Sequence, residues 1–426
     1  MAGNLNGKRL LVLGCTNNAE DVHEYAVRNG VEIVVAGLQF SDAIKAIADE
    51  RYVLDILDRQ ALVELIKNKN IDGMFVGGNE DIISCAVDVA EETGLPFYAN
   101  RQLWDLTSNK AVFKEACKKY GVPVTKEFRL KEETLEEDKK NLIYPIVVKP
   151  VDSCGSKGVN ICRGESELTY CIQEAKKNSK SGEIIAEEFV EGQELVIYYM
   201  FCDGKVSFTS MSDKLLRQEE CGFSPLSEVY AYPSCHLKEY SELLDEKMRN
   251  MLLGFGIKNG ITSMQGFYTT SGEFKFFEMG YRLGGTAQYR YTMHVNGISS
   301  FEMMMNHALT GKMGGYDQNL DTPFFSKKCC TLSLLSKGGK VAKIVGVEEA
   351  RSEKGVLCIE NRYKVGDVIK ATRTISQFHI RLFLVADTEE EMALLIEKMQ
   401  NSIHAYDENG ESMLITQFDT SRLLFN

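Results

Sequence analysis

Residues 264–278 decide the fold: Met264-Gln-Gly-Phe-Tyr-Thr-Thr-Ser-Gly-Glu-Phe-Lys-Phe-Phe-Glu278. Aromatic residues flank Ser271-Gly272, which predicts a β-hairpin with a two-residue turn, because glycine accepts a positive φ. That turn places three cross-strand pairs on one side of the ribbon: Thr269 with Phe274, Phe267 with Phe276, and Gln265 with Glu278. Since this side carries aromatic rings, we expect it to be buried.

The pair Gln265 and Glu278 is the predicted metal site. Directly opposed residues have Cβ atoms roughly 5 Å apart, so one cation can touch both side chains. Oxygen ligands suit Mg²⁺, which takes few protein ligands and completes its shell with phosphate and water. A buried carboxylate also needs a partner, and an ion pair between Glu278 and Arg282 is the alternative. A turn displaced by one residue would break the predicted pairing.

Arg282 lies four residues beyond Glu278, where the second strand of the hairpin ends. Its planar guanidinium matches the geometry of a phosphate or carboxylate. We therefore count Arg282 as a candidate catalytic and substrate-binding residue.

A second candidate segment is Tyr144-Pro-Ile-Val-Val-Lys149-Pro150, a short apolar strand that ends in a lysine. The following stretch, 151–158, contains Ser153, Gly155, Ser156 and Gly158. Glycines allow backbone amides to turn toward a phosphate, and serines add hydroxyl donors. A plain hairpin loop is the alternative, because the GxxxxGK[ST] phosphate-loop pattern is missing.

The third segment is Ile184-Ile-Ala-Glu-Glu-Phe-Val-Glu-Gly-Gln-Glu194, an apolar strand that runs into acidic residues. A carboxylate and a backbone N–H on such a strand can satisfy the donor and acceptor of an adenine ring, and a later carboxylate can accept from ribose hydroxyls. Glu187, Val190 and Glu194 are the candidates for these roles. A solvated acidic face is the alternative.

The first hundred residues alternate strand and helix signals, which predicts a parallel sheet covered on both faces. Ligands of such sheets bind at the carboxyl ends of the strands. Glu80 follows Gly77-Gly78 at that edge and is a candidate substrate residue. The stretch Gly14-Cys-Thr-Asn-Asn-Ala19 lacks GxGxxG, so a nicotinamide-dependent oxidoreductase is disfavoured.

Composition limits the class of protein. The net charge of −12 over 426 residues disfavours a nucleic-acid binder, and no apolar run approaches the roughly 18 residues of a membrane helix. The start of the chain has no apolar signal core, so we expect a cytoplasmic protein. None of the 12 cysteines has CxxC spacing, which predicts reduced thiols and disfavours a zinc site.

Taken in order, Lys149, the glycine-rich loop, segment 184–194 and the Glu278…Arg282 strand end resemble an ATP-grasp domain. Carbamoyl-phosphate synthase large chains, biotin carboxylase and L-amino acid ligases contain such domains. The resemblance covers nearly the whole chain and implies an α/β and α+β fold. It implies an N-terminal parallel α/β (pre-ATP-grasp) domain at 1–107, an ATP-grasp domain at 108–312 with a lid subdomain at about 125–190, and a separate C-terminal α+β part at 313–426.

The resemblance also implies a role for each candidate residue. Lys110 and Lys149 contact ATP phosphates, and Glu278 binds magnesium. The lid contains Ser153, Gly155, Ser156 and Gly158. Adenine and ribose are held by Glu187, by the backbone of Glu188 and Val190, and by Glu194. Arg282 steadies an acyl phosphate, and Glu80 lies at the substrate end.

Two residues depart from the family pattern. Gln265 stands where members often have Glu or Asp, and Gly280 where they usually have Asn. An amide oxygen still binds a cation, whereas Gly280 offers no ligand, so the number of metal ions is open.

The expected activity is ATP-dependent ligation of a carboxylate to an amine through an acyl phosphate, with ADP, phosphate and Mg²⁺, or Mn²⁺ in its place. Carboxylation or carbamoyl transfer through carboxyphosphate is one alternative, and a nucleotide-binding regulator without turnover is another. The expected partners are small-molecule carboxylates and amines, with homodimerisation plausible from the family. Further candidates for the substrate pocket are Lys214, Arg217, Arg290 and His294. We expect Lys214 and Arg217 to be surface charges.

Overall fold

The computed structural model describes residues 5–14, 18–130, 135–151, 158–179, 181–217, 226–314, 316–372 and 375–425. Within these residues no helix combines the length and the apolar character needed to cross a bilayer. The nine cysteines in the described part of the chain are all free.

The N-terminal part is a parallel sheet with helices, as predicted from its alternating pattern. Its strands are β1 (Arg9–Leu13), β2 (Glu32–Gly37), β3 (Glu50–Val53) and β4 (Gly73–Val76), in the order β3-β2-β1-β4. Its helices are α1 (Ala19–Asn29), α2 (Asp42–Ile47), α3 (Arg59–Asn68) and α4 (Glu80–Thr93). Strands β1 and β4 are almost wholly buried, because helices cover both faces.

Two helices, α5 (Arg101–Ser108) and α6 (Lys110–Tyr120), connect this sheet to the rest of the chain. Asn109 separates them, because its side chain accepts hydrogen bonds from the N–H groups of Ala111 and Val112 and so begins α6. Lys110 therefore occupies the first turn of α6.

A small antiparallel sheet occupies the stretch predicted as the lid. Its elements are β5 (Glu127–Phe128), α7 (Leu135–Asp138), β6 (Ile146–Pro150), β7 (Asn160–Cys162), α8 (Glu165–Lys177) and β8 (Ile184–Glu188), with strand order β5-β8-β6-β7. Helix α8 packs Leu168, Cys171 and Ala175 on the inner face of this sheet. Its core is therefore separate from the core of the large sheet described next.

An antiparallel sheet of eight strands is the centre of the molecule, in the order β13-β12-β9-β10-β11-β14-β19-β17. Its strands are β9 (Gly192–Cys202), β10 (Lys205–Leu216), β11 (Ser227–Tyr232), β12 (Gly260–Thr269), β13 (Phe274–Gly280), β14 (Lys328–Leu335), β17 (Val356–Asn361) and β19 (Phe378–Ala386). The helices around it are α9 (Leu237–Leu243), α10 (Asp245–Gly254), α11 (Tyr289–Asn296), α12 (Ser300–Thr310), α13 (Val347–Arg351) and α14 (Glu389–Ser402). Short two-stranded pairs are formed by β15 (Gly339–Lys340) with β18 (Val368–Ile369) and by β16 (Lys343–Val345) with β20 (His404–Tyr406).

The C-terminal part is not separate from this sheet, contrary to the prediction. Strand β14 pairs with β11 through Thr331 and Tyr230, so the sheet continues across the predicted boundary at residue 313. Strand β19 then pairs with β14, and β17 forms the edge. The C-terminal strands read as a new unit in the sequence because a long irregular stretch precedes them.

The hairpin predicted at residues 264–278 forms with a different turn. Thr269 and Glu273 bracket a three-residue loop in which Gly272 has φ of 81°, so the two-residue turn was wrong by one residue. A β-bulge at Phe277 shifts the register back, because Gln265 pairs with Glu278 whereas Gly266 pairs with Phe276.

The bulge also divides the predicted one-sided set of residues. Tyr268, not Thr269, pairs with Phe274, and Lys275, not Phe276, pairs with Phe267. The rings of Phe274 and Phe276 pack against Tyr240 of α9 in the core, with centroids 5.6 and 6.2 Å away. The prediction of a single buried aromatic face beside Glu278 was therefore wrong, and only the Gln265–Glu278 pair is confirmed.

Candidate active site

A polar strip runs along one face of the eight-stranded sheet, across β13, β12, β9 and β10. Gln265 of β12 lies opposite Glu278 on one side and opposite Val196 on the other. Glu194 of β9 lies opposite Lys214 of β10. Since alternate residues of a strand share a face, Glu194 and Val196 point the same way as Gln265. The sheet therefore gathers side chains that are far apart in the sequence.

Beside this strip, α6 and the small sheet bring together Lys114, Lys149 and Glu187, which we call its buried end; Lys149 Nζ lies 5.3 Å from the centre of the Phe277 ring of β13. Lys149 is the penultimate residue of β6, and Glu187 of the neighbouring strand β8 lies opposite Val147 of β6. The Glu187 carboxylate accepts from Lys149 Nζ at 2.8 Å and from Lys114 Nζ at 2.5 Å. Burial would raise the pKa of Glu187, but the charges of Lys149 and Lys114 outweigh it and lower the pKa below its usual value. Glu187 is thus a charged carboxylate held between two ammonium groups.

Lys114 is a site residue that the sequence analysis missed. It lies one helical turn beyond Lys110 on α6, and its ammonium also contacts Glu127 Oε1 at 2.9 Å. The i,i+4 spacing places Lys110 and Lys114 on the same face of the helix. That spacing was the available signal, since a helix face with two lysines pointing into the protein requires acidic partners.

The contact between Glu194 and Lys214 corrects the prediction that Lys214 is a surface charge. Lys214 Nζ lies 2.5 Å from Glu194 Oε2, and both side chains are largely buried. Burial lowers the pKa of Lys214, but the Glu194 carboxylate raises it further, so the net shift is upward. Gln193 fixes the strand by donating to the carbonyl of Lys214 at 2.7 Å. Strand alternation on β10 therefore turns Lys214 toward the strip.

The predicted metal site is formed by one amide and one carboxylate. Gln265 and Glu278 are cross-strand partners, and Lys110 Nζ lies 3.6 Å from Glu278 Oε1. This donor set fits one Mg²⁺, which binds few protein oxygens and completes its shell with phosphate and water. Gly280 offers no side-chain ligand, and a Cβ there would lie 3.1 Å from Ser263 Oγ. The side chains present therefore fit one ion and not a second.

The open end of the strip consists of Glu80 and Arg282, which are 202 residues apart. Arg282 Nε donates to Glu80 Oε1 at 3.1 Å, and Arg282 Nη1 donates to the carbonyl of Leu283 at 3.2 Å. Glu80 is in the first turn of α4, which Asn79 caps. The alternative in which Arg282 pairs with Glu278 is wrong, because Arg282 pairs with Glu80. Two residues assigned to the substrate on separate grounds thus lie in contact.

The predicted adenine-binding segment joins the two antiparallel sheets. Glu188 ends β8, and its carboxylate pairs with Lys275 Nζ of β13 at 2.9 and 3.0 Å. Val190 lies in the short connection between β8 and β9, and is partly buried. The Glu188 carboxylate is therefore used in an inter-sheet contact, while the backbone of the connection runs beside Glu187.

Three residues of the predicted phosphate loop, Ser153, Gly155 and Ser156, lie outside the described residues. Gly158 is described and has φ of 72°, and a Cβ there would lie 2.6 Å from Asn178 Cβ. Only glycine fits at this position without displacement of its neighbours.

The remaining pocket candidates lie elsewhere. Arg290 pairs with Asp21 at 2.7 Å and with Glu360 at 2.8 Å, so it ties α1 to β17 instead of lining the strip. His294 is exposed in the last turn of α11. Arg217 donates its backbone N–H to the carbonyl of Leu226 at the end of β10.

Comparison with known proteins supports the fold. A family model described as D-ala D-ala ligase C-terminus matches residues 116–225. The biotin carboxylase domain of Hydrogenobacter thermophilus 2-oxoglutarate carboxylase, solved with MgADP and bicarbonate, superimposes with a TM-score of 0.77 at 18% identity. That match covers 95% of this chain and 91% of the other. These findings confirm the predicted ATP-grasp fold.

Two sequence relatives are informative. The formate-dependent phosphoribosylglycinamide formyltransferase of Wolinella succinogenes is 30% identical over 191 residues, or 43% of this chain and 48% of that protein. The chain thus matches about half the length of this relative. The L-arginine-specific L-amino acid ligase of Bacillus subtilis is 24% identical over 306 residues, which are 70% of this chain and 72% of the ligase. They confirm the resemblance to the ATP-grasp superfamily.

Proposed function

We propose that this ATP-grasp protein is an ATP-dependent ligase that joins a carboxylate to an amine through an acyl phosphate and releases ADP and phosphate. The observation that carries the proposal is the set of ion pairs formed by lysine and arginine side chains at the polar strip. Lysines 149, 110 and 214 each face a carboxylate, and the strip ends at the Glu80–Arg282 pair. These contacts provide cations for a triphosphate and a separate anion-binding group, Arg282, for a second substrate.

We assign the nucleotide to the buried end. The backbone of Glu188 and Val190, with the Glu187 carboxylate, would hold adenine, and Glu194 would accept from the ribose hydroxyls. Lys110 and Lys149 would reach phosphate oxygens while Glu278 and Glu187 keep their contacts to the two ammonium groups, since an ammonium group has three N–H donors. Each lysine would therefore stay paired with an anion.

We assign magnesium to Gln265 and Glu278, with Mn²⁺ as the alternative cation. The ion would supply charge neutralisation on the phosphate oxygens during transfer. Glu278 also orients Lys110, whose ammonium lies 3.6 Å away, so the carboxylate would serve both groups. The solved relative that contains MgADP has the same fold, which supports this choice of cation. A second ion would rest on phosphate and water, since Gly280 provides no ligand.

We assign the two organic substrates to the open end. A carboxylate oxygen would attack the γ-phosphorus of ATP, and the bond to ADP would break as the acyl phosphate forms. Arg282 would steady this intermediate with its planar guanidinium. An amine would then attack the acyl carbon and expel phosphate, while its proton passes to solvent. The Glu80 carboxylate suits a substrate that carries an ammonium group, as an amino acid does.

The proposed partners are therefore small carboxylates and amines, not nucleic acid, and the proposed location is the cytoplasm, where ATP is supplied. A homodimer remains a proposal from the family.

A phosphate-release screen tests the function. Purified protein with ATP and Mg²⁺ is offered pairs of amino acids and other carboxylates, and we expect release of phosphate only with a productive pair. Lys149→Met should abolish the release, and Lys177→Met, at an exposed position on α8, should leave it unchanged.

Other outcomes of the screen would change the proposal. Release that depends on bicarbonate alone would favour the carboxyphosphate route. ATP binding by calorimetry with no release for any pair would favour a regulator without turnover. Release at the wild-type rate in Lys149→Met would contradict the assignment of Lys149.

A further inference from the structure

A cluster of three potential metal ligands lies on the other face of strand β10. Asp213 precedes Lys214, so strand alternation turns its side chain away from the polar strip. The ligand atoms of Asp213, Cys235 and His236 all lie within 4.8 Å of one another. Cys235 and His236 belong to the short connection between β11 and α9. The cluster therefore brings together a carboxylate, a thiol and an imidazole from two segments.

The carboxylate of this cluster is buried and has no lysine or arginine partner among the described residues. Its oxygens accept from Ser234 Oγ at 2.6 Å and from the Cys235 N–H at 2.9 Å. These neutral donors fix the orientation of Asp213 but do not compensate its charge. The charged neighbour of the buried carboxylate is the His236 ring, and a bound divalent cation would supply the compensating charge in its place.

The His236 ligand is also held in place. The His236 ring stacks on the Tyr268 ring with centroids 3.8 Å apart, and the His236 N–H donates to Ser234 Oγ at 3.1 Å. Ser234 thus contacts both Asp213 and the backbone of His236. Second contacts of this kind orient metal ligands in proteins and are part of what makes a site.

We propose that Asp213, Cys235 and His236 bind a divalent cation of the zinc class, with a fourth position open to water. A carboxylate and a thiolate would balance the two positive charges, and the imidazole would add a neutral ligand. Tetrahedral Zn²⁺ with bonds of about 2.0–2.3 Å holds its ligand atoms about 3.3–3.8 Å apart. Binding would therefore draw ligand atoms that are up to 4.8 Å apart together by up to about 1.5 Å. Cys235 and His236 are only partly buried, which leaves room for this movement.

The proposed site is distinct from the magnesium site in both place and chemistry. It lies on the face of β10 opposite to Lys214, and its donor atoms are sulfur, nitrogen and oxygen. Gln265 and Glu278 offer oxygen alone, which suits Mg²⁺, whereas thiolate and imidazole suit zinc. The two sites should therefore select different ions. The inference does not depend on the proposed ligase activity.

Cobalt provides a direct test, because Co²⁺ replaces Zn²⁺ and gains a near-ultraviolet charge-transfer band only when a thiolate binds it. Full-length, chelator-treated protein is titrated with Co²⁺ in excess Mg²⁺. We expect the band to saturate at one equivalent and to disappear on addition of Zn²⁺. Cys235→Ala should remove the band, and Cys85→Ala, at another partly buried free cysteine, should keep it.

Two further variants test the site independently if Cys235→Ala folds poorly. His236→Ala should retain the thiolate band but weaken Co²⁺ binding by at least about 10-fold, because one of three ligands is lost. Ser234→Ala should weaken it by about 10-fold, through the lost contact to Asp213. The proposal would be overturned if the band never forms in wild type or persists in Cys235→Ala. It would also be overturned if His236→Ala binds Co²⁺ as tightly as wild type.

Discussion

The two ends of the polar strip differ in burial and in how the chain builds them. At the buried end, the side chains of Lys114, Lys149 and Glu187 are each less than a tenth exposed. All three come from residues 110–190, and Glu187 contacts both lysines. At the open end, the side chains of Glu80 and Arg282 are 35% and 22% exposed, and the pair joins two elements 202 residues apart. The buried end is thus a closed network, and the open end is one accessible ion pair.

This difference indicates a division of labour. A network of buried charges is expensive to rearrange, so it suits a ligand that is always the same, such as a nucleotide. An accessible ion pair is screened by water and contributes little to stability. Its residues can therefore be exchanged for others as the substrate changes. Changes at the two ends should separate effects on nucleotide from effects on substrate.

The largest effect on turnover is expected at Glu278, which belongs to neither end. Glu278→Gln keeps the shape of the side chain but removes the charge that would bind magnesium and orient Lys110. We expect phosphate release to fall roughly 10³-fold, because a charge that stabilises phosphoryl transfer is lost. ATP affinity measured with chelator present should change little. Steady-state kinetics and calorimetry give the two numbers.

The control for this variant is Glu273→Gln, on the exposed turn of the same hairpin. It should keep full turnover, which would exclude a general effect of a missing acidic charge. Turnover of Glu278→Gln within 10-fold of wild type would remove Glu278 from the mechanism and make the Glu278–Lys110 contact structural.

The hairpin shows how far the sequence predicted this site. Two errors of one residue cancelled: the loop has three residues instead of two, and the bulge at Phe277 restores the pairing of Gln265 with Glu278. This bulge lies where the two strands pack closely: a Cβ on Gly266 would lie 2.7 Å from the carbonyl oxygen of Lys275. A pattern with a period of two cannot reveal such an extra residue.

Other parts of the site depended on contacts that no local pattern contains. The parallel sheet, Lys149 and Glu187 follow from periodicity and segment order. The burial of Lys214 depends on its strand lying next to β9, and the Glu80–Arg282 contact depends on how the N-terminal sheet packs. Sequence reasoning therefore named Glu80 and Arg282 at the open end without their mutual contact, and named Lys149 and Glu187 at the buried end without Lys114.

The second largest effect is expected on stability, from Lys114→Met at the buried end. The variant leaves Glu187 with Lys149 as its remaining cation and leaves Glu127 without its partner. Removing one member of a buried ion pair costs about 3 kcal/mol, or roughly 10²-fold in the unfolding equilibrium. Urea denaturation followed by fluorescence measures this change. Saturating ATP should not restore it fully, because the lost contacts are those of Lys114 with Glu187 and Glu127, which a phosphate group does not replace.

A matched variant on the same helix is Lys118→Met, whose exposed ammonium pairs with Glu115 at the protein surface. It should unfold at the same urea concentration as wild type. If both variants unfold together, burial of Lys114 does not stabilise the protein, and the contrast between the two ends disappears.

The smallest expected effect separates the two ends most clearly. Arg282→Lys keeps the positive charge but loses the fork that binds two oxygens at once. One charge-assisted hydrogen bond to the acyl phosphate is worth about 1.5 kcal/mol, so kcat/KM for the carboxylate substrate should fall about 10-fold. The Kd of ATP should stay unchanged, because Arg282 contacts the open end alone. Arg59→Lys, an exposed substitution at the Glu92 pair, should change neither quantity.

Glu80→Gln should raise the KM of the amine and not of ATP, since its carboxylate would face the ammonium group. A shift in ATP affinity for Arg282→Lys or Glu80→Gln would mean that the ends are coupled, and the strip would then act as one site.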